Sequence, residues 1–140
     1  MITSMAVDKV EATRNADENV ANMRFNINFD NVSADGDSIK VAYTFVASYE
    51  GAAGANAKPA GEIKIIGNIL SKENKKDVER IMSTWNEKKT LPLDYAELLI
   101  NAINFECGSR GTLIAYSIGL VPPLPLTRAK LQEAPGKPSS

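Results

Sequence analysis

Two neighbouring stretches of the chain alternate strictly between apolar and polar residues. In the first, about 22–32, Met23, Phe25, Ile27 and Phe29 are separated by single polar residues. In the second, about 38–50, one parity is apolar throughout: Ile39, Val41, Tyr43, Phe45, Ala47 and Tyr49. A period of two is typical of a strand with one buried face. An Asp-Gly step at Gly36 allows a tight reversal between them, so we predict a hairpin.

Two further strands are predicted on either side of this hairpin. The stretch of about 60–71 places Ile63, Ile65 and Ile69 on one face, and Gly67 on that face indicates a bulge or a close backbone approach. The stretch of about 5–13 is ambiguous, because its apolar residues change parity after Val7. A strand there needs a bulge near Asp8 and Lys9, and a short helix is the alternative. The β-branched residues favour the strand.

Helical spacing replaces alternation after residue 72. Val78, Ile81, Met82 and Trp85 are spaced as one helix face, which predicts a helix over about 74–88, and Asn74 is a suitable N-cap. Pro92 suits the start of a second helix, over about 93–118. The alternative ends that helix at residue 107 and makes 112–118 a strand. Steps of three and four in the apolar residues favour one long helix, with Gly119 as its stop.

The end of the chain is rich in proline. The segment 121–127 favours polyproline II structure, and residues 129–140 are expected to be a disordered tail. We therefore predict one α+β domain over residues 1–128: a four-stranded antiparallel sheet, followed by an amphipathic helix and one long helix packed on one face.

Composition excludes several classes of function. The chain has 140 residues, a formal net charge of -1, no histidine and one cysteine. Histidine-dependent catalysis and zinc-histidine sites are therefore excluded, and a single cysteine fits a reducing compartment. A near-neutral chain lacks the basic surface that nucleic-acid binding requires. No stretch has the length of a membrane helix or the form of a secretory signal, so we expect a cytoplasmic protein that is not inserted in a membrane.

Candidate chemistry is sparse. Cys107 lies on an apolar helix stripe, where a cysteine is usually a small buried residue. Asp30, Asp35 and Asp37 resemble a calcium loop only in part, because the chain has Val32 and no glutamate at the required distance. Phosphate-binding glycine motifs are absent from the sequence. We therefore predict no catalytic residue, no cofactor and no metal site, and rank an enzyme that uses carboxylates alone last.

Binding is the better-supported class. Two interpretations of the aromatic strand faces remain open. These side chains either form the core beneath the helices or line an apolar groove at the sheet edge. The Pro-Leu segment either docks on the chain's own oligomer or serves as a polyproline ligand. The candidate residues of a polypeptide-binding groove are Phe25, Phe29, Tyr43, Phe45, Tyr49, Trp85, Leu124 and Leu126.

Small residues on the long helix predict a close contact. A helix of roughly 26 residues would span about 39 Å, which is longer than a small sheet can cover. A second subunit is therefore expected to pack there, as a dimer or tetramer. The candidate interface residues are Cys107, Gly108, Gly111 and Ala115.

A family resemblance supports these expectations. The order of four strands followed by helices resembles the SecB-type protein-export chaperones and their archaeal and toxin-associated relatives. In that family a Tyr-Ala-Arg-Glu phrase opens the main helix and Pro-Pro-Leu follows it; the matching positions are Tyr95-Ala96-Glu97 and Pro122-Pro123-Leu124. Arg110-Gly111-Thr112 resembles a family phrase that directly precedes the prolines, whereas here the prolines arrive ten residues later.

The resemblance implies a homo-oligomer that holds extended apolar segments of unfolded polypeptides without ATP. This sequence lacks the family's strongly acidic surface and carries Lys130 and Lys137 in its tail, so docking to an export motor through acidic contacts is not expected. A structural or regulatory oligomer with no client is the alternative function.

Overall fold

The computed structural model describes residues 1–15, 20–51 and 59–123. The predicted tail at 129–140, and the part of the Pro-rich segment that contains Leu124 and Leu126, lie outside the described residues. The elements are β1 (Ile2–Arg14), β2 (Val20–Asp35), β3 (Ser38–Gly51), β4 (Pro59–Lys72), α1 (Lys75–Lys88) and α2 (Leu93–Ser117).

The four strands form one antiparallel sheet in the order β1-β4-β3-β2. β2 and β3 are a hairpin in which Asp35 pairs with Ser38, and Gly36 in the turn has a φ of 62°. That left-handed conformation favours glycine, which explains the Asp-Gly signal. The predicted α+β fold, with four strands followed by two helices, is confirmed.

β1 is a strand with an irregularity where the parity changes. Its pairing with β4 shifts between Val7 and Lys9, so that Val7 pairs with Gly67 and Val10 pairs with Ile65. Directly paired residues share a face of the sheet. The extra residue therefore returns the apolar side chains of both halves of β1 to one face, and the alternative of a short helix is wrong.

The core lies between one face of the sheet and the two helices. Alternate residues of β3 and β4 are buried along their length, including Phe45 and Ile65. The helices contribute Ile81 and Trp85 from α1 and Leu99, Ile103 and Cys107 from α2 to the same cluster. Burial of one parity accounts for the strict alternation of β3, and the edge strand β2 buries its apolar parity only in part.

Gly67 marks a close approach between β1, β4 and the core. A Cβ at this position would lie 2.7 Å from the Tyr43 hydroxyl oxygen and would also collide with the carbonyl oxygen of Ala6. The close backbone approach that the sequence predicted is therefore present.

Both helices begin where their sequence signals indicate. The Asn74 side chain accepts a hydrogen bond of 2.8 Å from the backbone N–H of Asp77 and so caps α1. α2 runs without interruption through Gly108 and Gly111, so the alternative strand at 112–118 is wrong. Gly119 follows with a φ of 71° and redirects the chain.

Candidate functional site

Four of the predicted groove residues are core residues in the single chain. Tyr43, Phe45 and Tyr49 have no exposed area, and Trp85 of α1 is buried with them. The two helices cover this part of the sheet, so these side chains do not line an open groove in this structure. Their contact with a client stays a prediction. Leu124 and Leu126 lie outside the described residues.

The outer aromatic residues lie in a different environment. Phe25 is 37% exposed and Phe29 is half-buried, because β2 is the last strand of the sheet and the helices cover it only in part. The ring of Phe25 lies 5.9 Å from that of Phe45, so the exposed ring continues the core to the edge. We call the row on this face of β2 the β2 strip; its members are Met23, Phe25, Ile27 and Phe29.

The β2 strip adjoins an unpaired strand edge. β2 pairs with β3 on one side, and no described strand pairs with its other side. Backbone N–H and C=O groups at such an edge are able to accept an added strand. Within the described part of the chain, an apolar face and a strand edge without a partner strand therefore occur together along β2.

The predicted interface residues face the chain's own interior. Cys107, Gly108, Gly111 and Ala115 are all buried in α2. The thiol of Cys107 lies 3.9 Å from the Tyr43 hydroxyl oxygen, and burial raises the pKa of that thiol to about 11. The thiol therefore stays protonated near neutral pH, as expected for a structural cysteine. The small residues of α2 allow close packing within the chain, and their contact with a second subunit stays a prediction.

The opposite face of α2 carries an exposed apolar stripe that our sequence analysis missed. Leu98, Phe105, Leu113 and Tyr116 are 40%, 73%, 75% and 71% exposed. We call these four residues the outer α2 stripe. These four residues follow one another at steps of seven, eight and three positions, which places them on the side of the helix opposite its buried residues. This spacing was the signal available in the sequence. A helix that is apolar on both faces is typical of a helix buried on both sides.

The chain after α2 folds back over the core as residues 120–123, which we call the 120–123 segment. Leu120 is buried, and Pro123 is buried against Gly111, where a Cβ would lie 2.5 Å from the proline Cγ. The Tyr49 hydroxyl donates a hydrogen bond of 2.5 Å to the carbonyl oxygen of Val121. Burial raises the pKa of Tyr49 to about 12, so this hydroxyl remains a donor at neutral pH.

Two of the three aspartates around the hairpin turn contact neighbouring side chains. Asp30 accepts a hydrogen bond of 2.6 Å from the Thr44 hydroxyl, and Asp37 lies 3.6 Å from the Lys72 ammonium. Among the described residues, no three histidine, cysteine, aspartate or glutamate side chains cluster as metal ligands would. Within the same residues, neither helix has the length and hydrophobicity needed to cross a membrane.

Comparison with known proteins identifies a fold. No protein-family model matches the chain, and no curated protein matches it significantly in sequence. A solved structure of the SecB-like chaperone Rv1957 of Mycobacterium tuberculosis, in complex with a ChAD peptide from the HigA1 antitoxin Rv1956, is similar with a TM-score of 0.54 and 11% sequence identity. The match covers 96% of this chain and 91% of that chain. This likeness over nearly the whole length shows that the chain has a SecB-like fold.

Proposed function

We propose that this protein is a SecB-like, non-catalytic holding chaperone that binds extended apolar segments of unfolded polypeptides without ATP. The observation that carries the proposal is the β2 strip beside a strand edge that no described strand covers. We propose that it acts in the cytoplasm and that it forms a homo-oligomer. The solved SecB-like neighbour, whose structure contains a bound peptide, supports the same class of function.

The binding mechanism follows from the geometry of β2. An extended client adds to the edge of β2 through backbone hydrogen bonds, and alternate client side chains pack on Phe25 and Phe29. Backbone hydrogen bonds are independent of client sequence, whereas the aromatic strip selects apolar segments. This combination suits a protein that must bind many unfolded chains.

The outer α2 stripe supports the oligomer. It carries three side chains that are more than 70% exposed, Phe105, Leu113 and Tyr116, on one side of a 25-residue helix. Several large apolar side chains exposed on one side of a helix mark an interaction site, and a second copy of the chain supplies an identical stripe to cover it.

The alternative is a structural oligomer with no client. The complete burial of Tyr43, Phe45 and Tyr49 favours it, because these aromatic residues already have a role in the core. The two functions differ in whether Phe25 is needed for activity or only for packing.

The decisive experiment measures suppression of aggregation of a chemically unfolded substrate. We expect the wild-type protein to suppress aggregation at a near-stoichiometric ratio. Phe25→Lys should weaken this activity about tenfold, because an apolar segment that binds the β2 strip would then bury an unpaired charge. Val10→Lys is the matched control, since Val10 is 44% exposed on β1 and Phe25 is 37% exposed on β2. Equal activity of the two variants would contradict the β2 site, and no suppression by the wild type would support the structural alternative.

The oligomer is tested by light scattering. We expect a dimer or tetramer for the wild type and a smaller species for the double variant Phe105→Glu with Tyr116→Glu, because the outer α2 stripe is then charged. Asn86→Glu, on the exposed side of α1, is the control. A monomeric wild type would remove this part of the proposal.

A further inference from the structure

The 120–123 segment occupies a pocket whose walls come from three elements. Tyr49 of β3 provides the hydroxyl that binds the Val121 carbonyl oxygen. Gly61 of β4 lies beneath Leu120, where a Cβ would be 3.1 Å from the leucine Cδ1. Gly111 of α2 lies against Pro123. We call these three residues the glycine pocket.

The contacts in the glycine pocket are those of polypeptide recognition. A side-chain hydroxyl binds a backbone carbonyl, which any residue could supply. Leu120 and Pro123 point inward and are buried, whereas Val121 points outward and is 56% exposed. A bound peptide that is held by a backbone hydrogen bond and by two apolar side chains in pockets makes contacts of the same kind.

The glycine pocket also continues the β2 strip. Met23, the first residue of the strip, pairs directly with Tyr49 across β2 and β3. Paired residues share one face of the sheet, so the strip leads to the tyrosine that holds the 120–123 segment. A client that extends along the strip beyond Met23 therefore meets a site that is already filled.

We propose that the glycine pocket is a binding subsite for apolar polypeptide, and that the 120–123 segment is its resident occupant, which a client must displace. This inference rests on the proposed holding function. Because the segment is part of the same chain, it competes at an effective concentration of about millimolar or higher. The apparent affinity for a client is therefore the intrinsic affinity multiplied by the fraction of molecules in which the pocket is open.

The inference is tested in the full chain with the double variant Leu120→Ser and Pro123→Ser. The probe is a fluorescently labelled peptide that copies residues 117–123, and its affinity is measured by anisotropy. We expect the double variant to bind the probe about tenfold more tightly than the wild type, because the resident segment no longer fills the pocket. Leu93→Ser is the control: this leucine is 48% exposed at the start of α2 and does not contact the pocket, so the affinity should not change.

A third variant separates the pocket from the segment. Adding Tyr49→Phe to the double variant removes the hydroxyl donor, and we expect the gain in probe affinity to fall several-fold. Thermal unfolding checks that each variant is folded. Unchanged or weaker probe binding by the folded double variant would overturn the proposal, as would a gain that does not depend on Tyr49.

A measurement on the wild type requires no substitution. The Leu120 amide donates to the Ala115 carbonyl oxygen at 2.8 Å, so hydrogen exchange reports on the segment. We expect the amide of Leu120 to exchange faster when the unlabelled probe peptide saturates the protein, and unchanged exchange would overturn displacement. If the wild type fails to suppress aggregation, the proposed function fails. If it suppresses aggregation but the segment neither moves nor competes, only the present inference fails.

Discussion

The two edges of the sheet differ in what they present. β1 has a shift in register after Val7, and the side chains of Lys9 and Glu11 form an ion pair of 2.7 Å. β2 presents Phe25 and Phe29 with their rings partly open to solvent. Both strands lack an outer strand partner among the described residues.

This difference indicates which edge is suited to binding. Irregular pairing and charged residues are devices that prevent an edge strand from pairing with other chains. β1 has both devices in its middle. β2 also has register shifts, before Asn22 and after Phe29, and its Arg24 forms an ion pair with Glu50, but residues 23–29 between the shifts pair regularly with β3 and carry the aromatic rings. The edge of β1 is therefore the more protected one, and residues 23–29 of β2 form the edge stretch suited to binding.

The largest expected difference in stability is between variants at the centre of the sheet and variants at its β2 edge. Phe45→Ala should lower the free energy of unfolding by about 3–5 kcal/mol, because it leaves a cavity in the core. Phe25→Ala should lower the free energy of unfolding by only about 1 kcal/mol, since the Phe25 side chain is 37% exposed. Urea unfolding measures both. Equal losses would mean that β2 is a core strand and that its edge is not available for clients.

The next effect concerns the attachment of β1. Gly67→Val should lower the free energy of unfolding by about 3 kcal/mol, because a side chain there collides with Ala6 of β1 and with the Tyr43 hydroxyl. Val10→Ala, in β1 itself, should lower the free energy of unfolding by less than about 1 kcal/mol. Denaturant titration compares the two variants, and a Gly67→Val protein as stable as the wild type would contradict the pairing of β1 with β4.

A smaller effect tests whether charge protects β1. We expect Lys9→Val with Glu11→Val to increase self-association at high protein concentration, because the strand becomes apolar while the net charge is unchanged. Lys75→Val with Glu79→Val on exposed positions of α1 removes the same charges away from any edge. Light scattering over time compares the two, and equal rates would show that the charges of β1 have no protective role.

The smallest effect concerns the ion pair that joins α1 to α2. Arg80 binds both carboxylate oxygens of Asp94, at 2.9 and 3.0 Å, and this hydrogen bonding holds the pKa of Asp94 below its usual value. The stabilisation is therefore present above the unfolded pKa of about 4 and is lost as the pH falls through the lower folded value. Because the side chains are 43% and 70% exposed, it should be below about 1 kcal/mol.

Asp94→Asn measures this contribution by chemical unfolding. The variant should be slightly less stable than the wild type at neutral pH, and the difference should disappear near about pH 2, where the wild-type carboxylate is also neutral. A difference that stays constant across this range would assign the effect to packing and not to charge.

Local pattern was sufficient for the elements but not for the site. The β-branched residues Val7 and Val10 favoured a strand, and the change in parity between them meant that such a strand needs a bulge, which the register shift after Val7 supplies. Phe25 and Phe45 follow the same alternation, yet one is exposed and the other is buried. Strand order decides between them, and strand order is not encoded in the spacing of either strand.

The glycines of α2 show the same limit. Their small size correctly indicated a close approach, but the residue that approaches Gly111 is Pro123 of the same chain. The large residues on the other side of the helix, including Phe105 and Tyr116, were the stronger signal of an outer contact. Small and large residues both mark interfaces, and only the position of the sheet shows which side of a helix is already occupied.

The sequence by itself determined the number, type and order of the elements, the turn at Gly36 and the cap at Asn74, because each depends on residues close together in the chain. Tertiary structure decided which aromatic rings are exposed, which face of α2 no described residue covers, and where the 120–123 segment docks. These outcomes depend on which strand lies at the edge and on how far two helices extend over four strands. Both follow from the packing of distant segments, which no local pattern records.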